Sequence, residues 1–232
     1  MQKDADHVIV SGSFVTATNV NHDGYLTNGT LEVKGDFIQL NSDSEYNFIA
    51  KGNHKILLSG DEKQTVSFAS NITTMNKNLS RIANLEITNE SDEGIVFSNR
   101  PYVTGQIKDN GHVVSGYVTI GATTGFYNNA YNGSIYLVED KTLTGTWSIG
   151  GTVTTESIMY VWGTLNIGGH FVATGYYSCL YMKGGRVNVA QNLAVNYYSY
   201  GYKYGLCMEN ARDYIYVGGN FQYSKGAAFS VG

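Results

Sequence analysis

The nine residues Gly163-Thr164-Leu165-Asn166-Ile167-Gly168-Gly169-His170-Phe171 decide the fold, because the same figure returns along the chain. With Gly169 as origin, apolar residues fall at minus four (Leu165), minus two (Ile167) and plus two (Phe171). Around Gly12 the same offsets hold Val8, Val10 and Phe14, and around Gly35 they hold Leu31, Val33 and Phe37. Gly151 is flanked by Trp147, Ile149 and Val153, Gln191 by Val187, Val189 and Leu193, and Gly219 by Ile215, Val217 and Phe221. Residues two apart point to one face of a strand, so each copy has one buried side that continues past the origin. A glycine there suits a bend or bulge that turns a corner while the alternation carries on.

The origins lie 23 residues apart from 12 to 35, 18 from 151 to 169, 22 from 169 to 191 and 28 from 191 to 219. Such lengths match one coil of a β-solenoid with outer loops of variable size. Short repeats that cannot bury a face alone must stack. Stacking predicts one ladder of Val8, Leu31, Trp147, Leu165, Val187 and Ile215, and another of Phe14, Phe37, Val153, Phe171, Leu193 and Phe221. Coils about 4.8 Å apart set like side chains over one another. An antiparallel sandwich also alternates, but it has no reason to repeat the figure with glycine in the same place. The expected fold is therefore all-β: a single-stranded β-solenoid, or parallel β-helix, with variable coil lengths. It forms one domain over 1–232, with a first repeat block at 7–115 and a more regular one at 116–232.

Composition agrees. The 232 residues include 28 glycines, 19 tyrosines and one proline, Pro101, which marks a coil corner or loop. Strand-forming and turn-forming residues dominate, and no convincing long helical period appears. From Asn71 to Arg81, the spacing of Met75, Leu79 and Ile82 allows a short helix or an outer loop. A net charge of −4 without a basic stripe excludes a nucleic-acid partner. No run of about 18 apolar residues offers a membrane span. Met1-Gln2-Lys3-Asp4 is not a signal peptide, and the chain stops after the apolar Ala228-Phe229-Ser230-Val231-Gly232. Both are expected of a piece of a longer protein.

Residues 51–99 carry a different figure. Gly52-Asn53-His54-Lys55-Ile56-Leu57-Leu58-Ser59-Gly60 is followed by Lys63-Gln64-Thr65-Val66-Ser67-Phe68 and Asn84-Leu85-Glu86-Ile87-Thr88. With the Val33-Lys34-Gly35-Asp36-Phe37 strand before it, this block resembles repeat segments of very long secreted or cell-wall proteins of Gram-positive gut bacteria. The later Gly-Gly-x-Phe coils resemble the solenoids of filamentous-haemagglutinin-type adhesins. The resemblance implies an extracellular, secreted or wall-attached, non-catalytic adhesive role. It carries no catalytic residue onto any position of this chain.

Tyrosine is the most suggestive chemistry. Tyr176 and Tyr177 follow Phe171, while Tyr197, Tyr198, Tyr200, Tyr202 and Tyr204 follow Leu193. Both groups come just after equivalent strands, which places them on one side of adjacent coils. A flat apolar ring with a polar tip suits sugar rings, and it equally suits the covering of outer loops. Stacked aromatics on a solenoid face match a repeating polymer better than a small molecule. The expected partner is a polysaccharide or a host or cell-surface glycan, and open solenoid ends invite end-to-end self-association.

Cys179 and Cys207 each lie twelve residues before their origins, which stacks them within disulfide reach or leaves two buried thiols acting as small hydrophobes. Neither has the company of a zinc site. Histidines 7, 22, 54, 112 and 170 are scattered and read as exposed strand residues without a nucleophile to serve. Asp61, Glu62, Glu90, Asp92, Glu93, Asp109, Glu139 and Asp140 cluster in turns. A pair of them on this scaffold would make a polysaccharide lyase or hydrolase. The turn Asn89-Glu90-Ser91-Asp92-Glu93 offers oxygens for calcium but no known calcium-loop spacing. No cofactor, metal or catalytic residue is assigned. The expected function is a binding surface, with the enzyme and a purely structural stalk as alternatives.

Overall fold

Alternating apolar and polar side chains, interrupted by glycine and amide-rich corners, turn the chain into short strands that pair in parallel with the strands one coil away. The computed structural model describes residues 1–40, 46–71, 73, 75, 76, 79–197, 205–224 and 229–231. Their architecture is a parallel β-solenoid with coils of unequal length. It divides into two compact units, Met1–Gly133 and Ser134–Gly232.

In the first unit, His7–Val10, Thr30–Val33, Lys55–Leu58, Asn84–Ile87, Gln106–Lys108 and Gly125–Phe126 form one sheet in that order. Its register stacks Val8 on Leu31, Leu31 on Ile56, Ile56 on Leu85 and Leu85 on Ile107. From the second coil inward these side chains are buried, whereas Val8 on the first coil is 45% exposed. A second sheet runs through Phe14–Thr16, Phe37–Gln39, Gln64–Ser67, Ile95–Phe97 and Val114–Ile120. The third side is sparse: Arg81–Ile82 and Tyr102–Val103 pair in parallel, and Leu26, Ile49 and Ala50 contribute isolated bridges. Inside, Phe37 stacks on Phe14 at 5.2 Å and on Phe68 at 5.5 Å, and Phe48 meets Phe37 edge-on at 5.0 Å. Offset and edge-on contacts of this kind add to the burial of the rings.

The second unit is more regular, with three strands per coil. One side holds Ser134–Leu137, Val153–Thr155, Phe171–Gly175, Leu193–Tyr197 and Phe221–Tyr223. The next holds Lys141–Leu143, Ile158–Val161, Cys179–Met182, Leu206–Met208 and Phe229–Val231. The third holds Thr146–Ile149, Thr164–Ile167, Arg186–Val189 and Tyr214–Val217. Trp147, Leu165, Val187 and Ile215 stack in register, as do Val153, Phe171, Leu193 and Phe221. The first expected ladder is thus divided: Val8 and Leu31 belong to one sheet, Trp147 to Ile215 to another.

The glycine origin is a corner where one coil's backbone lies on the next. Gly35 N–H donates to the Gly12 carbonyl at 3.0 Å, and Gly169 N–H donates to the Gly151 carbonyl at 3.0 Å. A Cβ at Gly35 would sit 2.6 Å from the Gly12 carbonyl carbon. Close backbone approach is therefore what demands glycine there.

Of the two forms expected for Asn71 to Arg81, the described residues show the outer loop: Met75 is 95% exposed in a turn, and Asn76 Oδ1 accepts from Thr73 N–H at 2.6 Å. One expectation needs correction. Among the histidines, His54 is completely buried against Phe48, because its strand begins at a corner folded over the aromatic cluster.

Candidate binding surface

Strands Ile158–Val161 and Cys179–Met182 carry the surface richest in described aromatics. Met159, Val161, Leu180 and Met182 point into the core, so alternation turns Tyr160 and Tyr181 outward. The parallel register puts the two tyrosines opposite each other, with ring centroids 5.3 Å apart. That distance is close to the spacing of adjacent strands. Trp162 leaves the first strand with half its surface in solvent. Tyr176 and Tyr177 occupy the turn leading into the second, at 61% and 57% exposure. These adjacent coils therefore carry two tyrosines paired in mid-strand, with exposed aromatics at the corner after the first strand (Trp162) and at the corner before the second (Tyr176 and Tyr177).

The electrostatics of this face are mild. The Tyr181 hydroxyl is hydrogen-bonded to Glu209, which pushes its pKa up to about 12 and keeps it neutral. A neutral phenol retains its polar tip beside an apolar ring.

Of the tyrosines singled out in sequence, Tyr176 and Tyr177 lie on this surface. Tyr197 is in strand Leu193–Tyr197, with its backbone opposite Gly175. Tyr198, Tyr200, Tyr202 and Tyr204 fall outside the described residues. Sequence reasoning missed Tyr160, Tyr181 and Trp162. Their signal was a second figure, Met159-Tyr160-Val161-Trp162-Gly163 against Leu180-Tyr181-Met182-Lys183-Gly184, continued by Leu206-Cys207-Met208-Glu209-Asn210.

The same figure corrects the cysteines. Cys207 lies opposite Tyr181, and Cys179 lies opposite Ile158, so the two do not stack. Met208 and Tyr214 are two residues further apart than Met182 and Arg186, which breaks a count made backward from the glycine origin. Both thiols are free and buried, and burial pushes Cys179 up to about 12 and Cys207 to about 11. Thiols held protonated in this way are poor nucleophiles.

The turn acids do structural work. Asp109 is buried and accepts from Gly111 N–H at 3.1 Å and Asn132 N–H at 2.6 Å. Asp140 accepts from Ile158 N–H at 2.9 Å. In the Asn89–Glu93 turn, the Asn89 side-chain oxygen accepts from Ser91 N–H and the Ser91 hydroxyl accepts from Glu93 N–H. On the first unit, Glu86 lies 2.8 Å from both Lys55 and Lys108, a half-buried triad that ties three coils. Among the described residues no three His, Cys, Asp or Glu side chains converge as a metal site would require. No helix among them is long and apolar enough to cross a membrane.

No protein-family model, curated protein or solved structure matches this chain.

Proposed function

We propose that this chain is a non-catalytic module of an extracellular surface, binding polysaccharide along the aromatic side of its second unit. The observation that carries the reading is the aromatic row itself. Tyr160 and Tyr181 repeat at the coil spacing, and Trp162, Tyr176 and Tyr177 flank them in solvent. Exposed aromatics grouped on one side call for explanation, since soluble proteins keep large rings covered or scattered. Two rings one coil apart, between Thr142 and Cys207 in the same register, match the spacing of a short stretch of a repeating ligand, and ring faces with hydroxyl tips suit the apolar faces and polar edges of sugars. The placement outside the cell follows from the resemblance to bacterial surface repeats.

Affinity gel electrophoresis and a glycan array test the reading. The wild-type chain should be retarded by at least one soluble polysaccharide. Tyr176→Ala/Tyr177→Ala and Trp162→Ala should each weaken retention about tenfold, equivalent to about 1.4 kcal/mol. Release of new reducing ends would replace this reading with the lyase or hydrolase alternative. Retention by nothing would leave a structural stalk.

A further inference from the structure

The third side of the second unit carries a cation set over an aromatic ring. In the register of that sheet, Arg186 lies opposite Tyr214 and Asn188 opposite Tyr216. The Arg186 guanidinium sits over the Tyr214 ring, 4.6 Å from its centroid. Arg186, Tyr214 and Tyr216 are all exposed, the two tyrosines at 45% and 54%. No acceptor among the described residues meets the Arg186 donors. The acid next to it in space, Asp213, is already engaged: Oδ1 accepts from Gly184 and Gly185 N–H at 2.6 and 2.9 Å, and Oδ2 accepts from Asn210 N–H at 2.9 Å. Alongside runs an amide row. Asn188 Nδ2 donates to Asn166 Oδ1 at 2.8 Å, which leaves the Asn188 oxygen and the Asn166 amide hydrogens without a protein partner among the described residues.

We infer that this strip is a second saccharide site, selective for a carboxylate-bearing sugar such as a uronate, with Arg186 receiving the carboxylate. A guanidinium placed over a ring is anchored by it, and its fork of donors matches the two oxygens of a carboxylate. The phenol faces and free amides beside it supply stacking and hydrogen bonds for the ring that carries the carboxylate. The second unit also tolerates an anion better than the first. Residues 134–232 contain six Lys/Arg and five Asp/Glu, a balance of +1, whereas residues 1–133 contain nine and fourteen, a balance of −5. The inference rests on the saccharide-binding reading above but uses a different side of the coil.

The experiment compares retardation in gels containing polygalacturonate, a polyuronate, or hydroxyethylcellulose, a neutral glucan. The wild-type chain should be retarded by polygalacturonate, and less so as salt is raised. Arg186→Gln should reduce that retention about tenfold or more. Arg186→Lys should lose most of it too, because a point charge cannot reproduce the fork. Tyr214→Leu should weaken it as well, and circular dichroism should show all three exposed-site variants folded. Unchanged polygalacturonate retention in Arg186→Gln overturns the inference. Binding of hydroxyethylcellulose but not polygalacturonate also overturns it, while leaving the aromatic-side reading intact. Binding of neither overturns it too, and the glycan array then decides the aromatic-side reading separately.

Discussion

A single methyl group distinguishes the two kinds of glycine in this chain. Gly12 and Gly35 are consecutive copies of one corner and look equivalent in sequence. A Cβ on Gly12 would meet nothing within 4 Å, because it lies on the first coil, while one on Gly35 would press into the Gly12 and Ser13 backbone. Backbone cannot yield as a side-chain tip can, so overpacking here carries its usual cost of about 1–3 kcal/mol. Gly35→Ala should lower the unfolding free energy by that amount, read in urea melts as a lower midpoint at unchanged slope. Gly12→Ala should be neutral or slightly stabilising, since it removes only unfolded-state freedom. Equal effects of the two substitutions would mean that the corners are not in the stacked contact described.

Between residue and coil, polar side chains hold together the longer corners. Gln64 is buried at the start of Gln64–Ser67, and its amide reaches three corners. Nε2 donates to the carbonyls of Val33 at 3.0 Å and Gly35 at 2.6 Å, while Oε1 accepts from Gly60 N–H and Asn89 Nδ2, each at 2.9 Å. Gln64→Leu keeps the volume but orphans buried backbone groups, each worth about 1–3 kcal/mol. The first unit should lose about 3 kcal/mol or more. Thr65→Val, one residue on and facing outward, should change stability by less than about 0.5 kcal/mol. Denaturant melts of the two variants decide the point. This network also explains what the sequence concealed. Where a corner is closed by two backbones and a glycine, the nine-residue figure stays in phase, and the ladders of Leu165, Val187 and Ile215 were legible. Gly60 and Asn89 occupy the same origin after Ile56/Leu58 and Leu85/Ile87, but their corners run on for several residues before the next strand. There the closing partner is the Gln64 amide, which joins the Gly60 corner four residues away to the Asn89 corner 25 residues away and the Gly35 corner 29 residues away, and a local pattern cannot announce the two distant partners. The binding side suffered likewise: Tyr160 and Tyr181 differ by one in their distance from the glycine origin, so only the pairing of their own strands brings them together.

At the scale of the molecule, acid should act unevenly on the two units. His54 is fully buried in the first, edge-on to Phe48 at 6.0 Å, and neither ring nitrogen has a partner among the described residues. Burial, aided by the Met1 ammonium, pushes its pKa down to about 4 from 6.5. A base with a depressed folded pKa is neutral in the fold while the unfolded chain is protonated, so the unfolded state binds more protons between those two values. Its contribution is therefore fully present above about pH 6.5 and is lost as pH falls towards 4, by up to about 3 kcal/mol. Burial lowers the pKa of His22 in the same direction. Below about pH 4.5 the carboxylates of Glu32 and Glu86 add to the loss. Their pKa values are lowered chiefly by hydrogen bonds from Ser59 and Lys108 respectively, and protonation gives up those interactions. Both Trp147 and Trp162 lie in the second unit, so tryptophan fluorescence follows 134–232 and is blind to this event. Hydrogen exchange sees it: with rates corrected for intrinsic pH dependence, segments spanning 46–58 should lose protection between pH 7 and 4.5 before the tryptophan signal moves. His54→Leu should remove most of that pH dependence by taking away the group that must charge. A His54 ring that titrates near 6.5 by NMR, or a His54→Leu chain that loosens in acid as the wild type does, would show that this burial does not couple the first unit to pH.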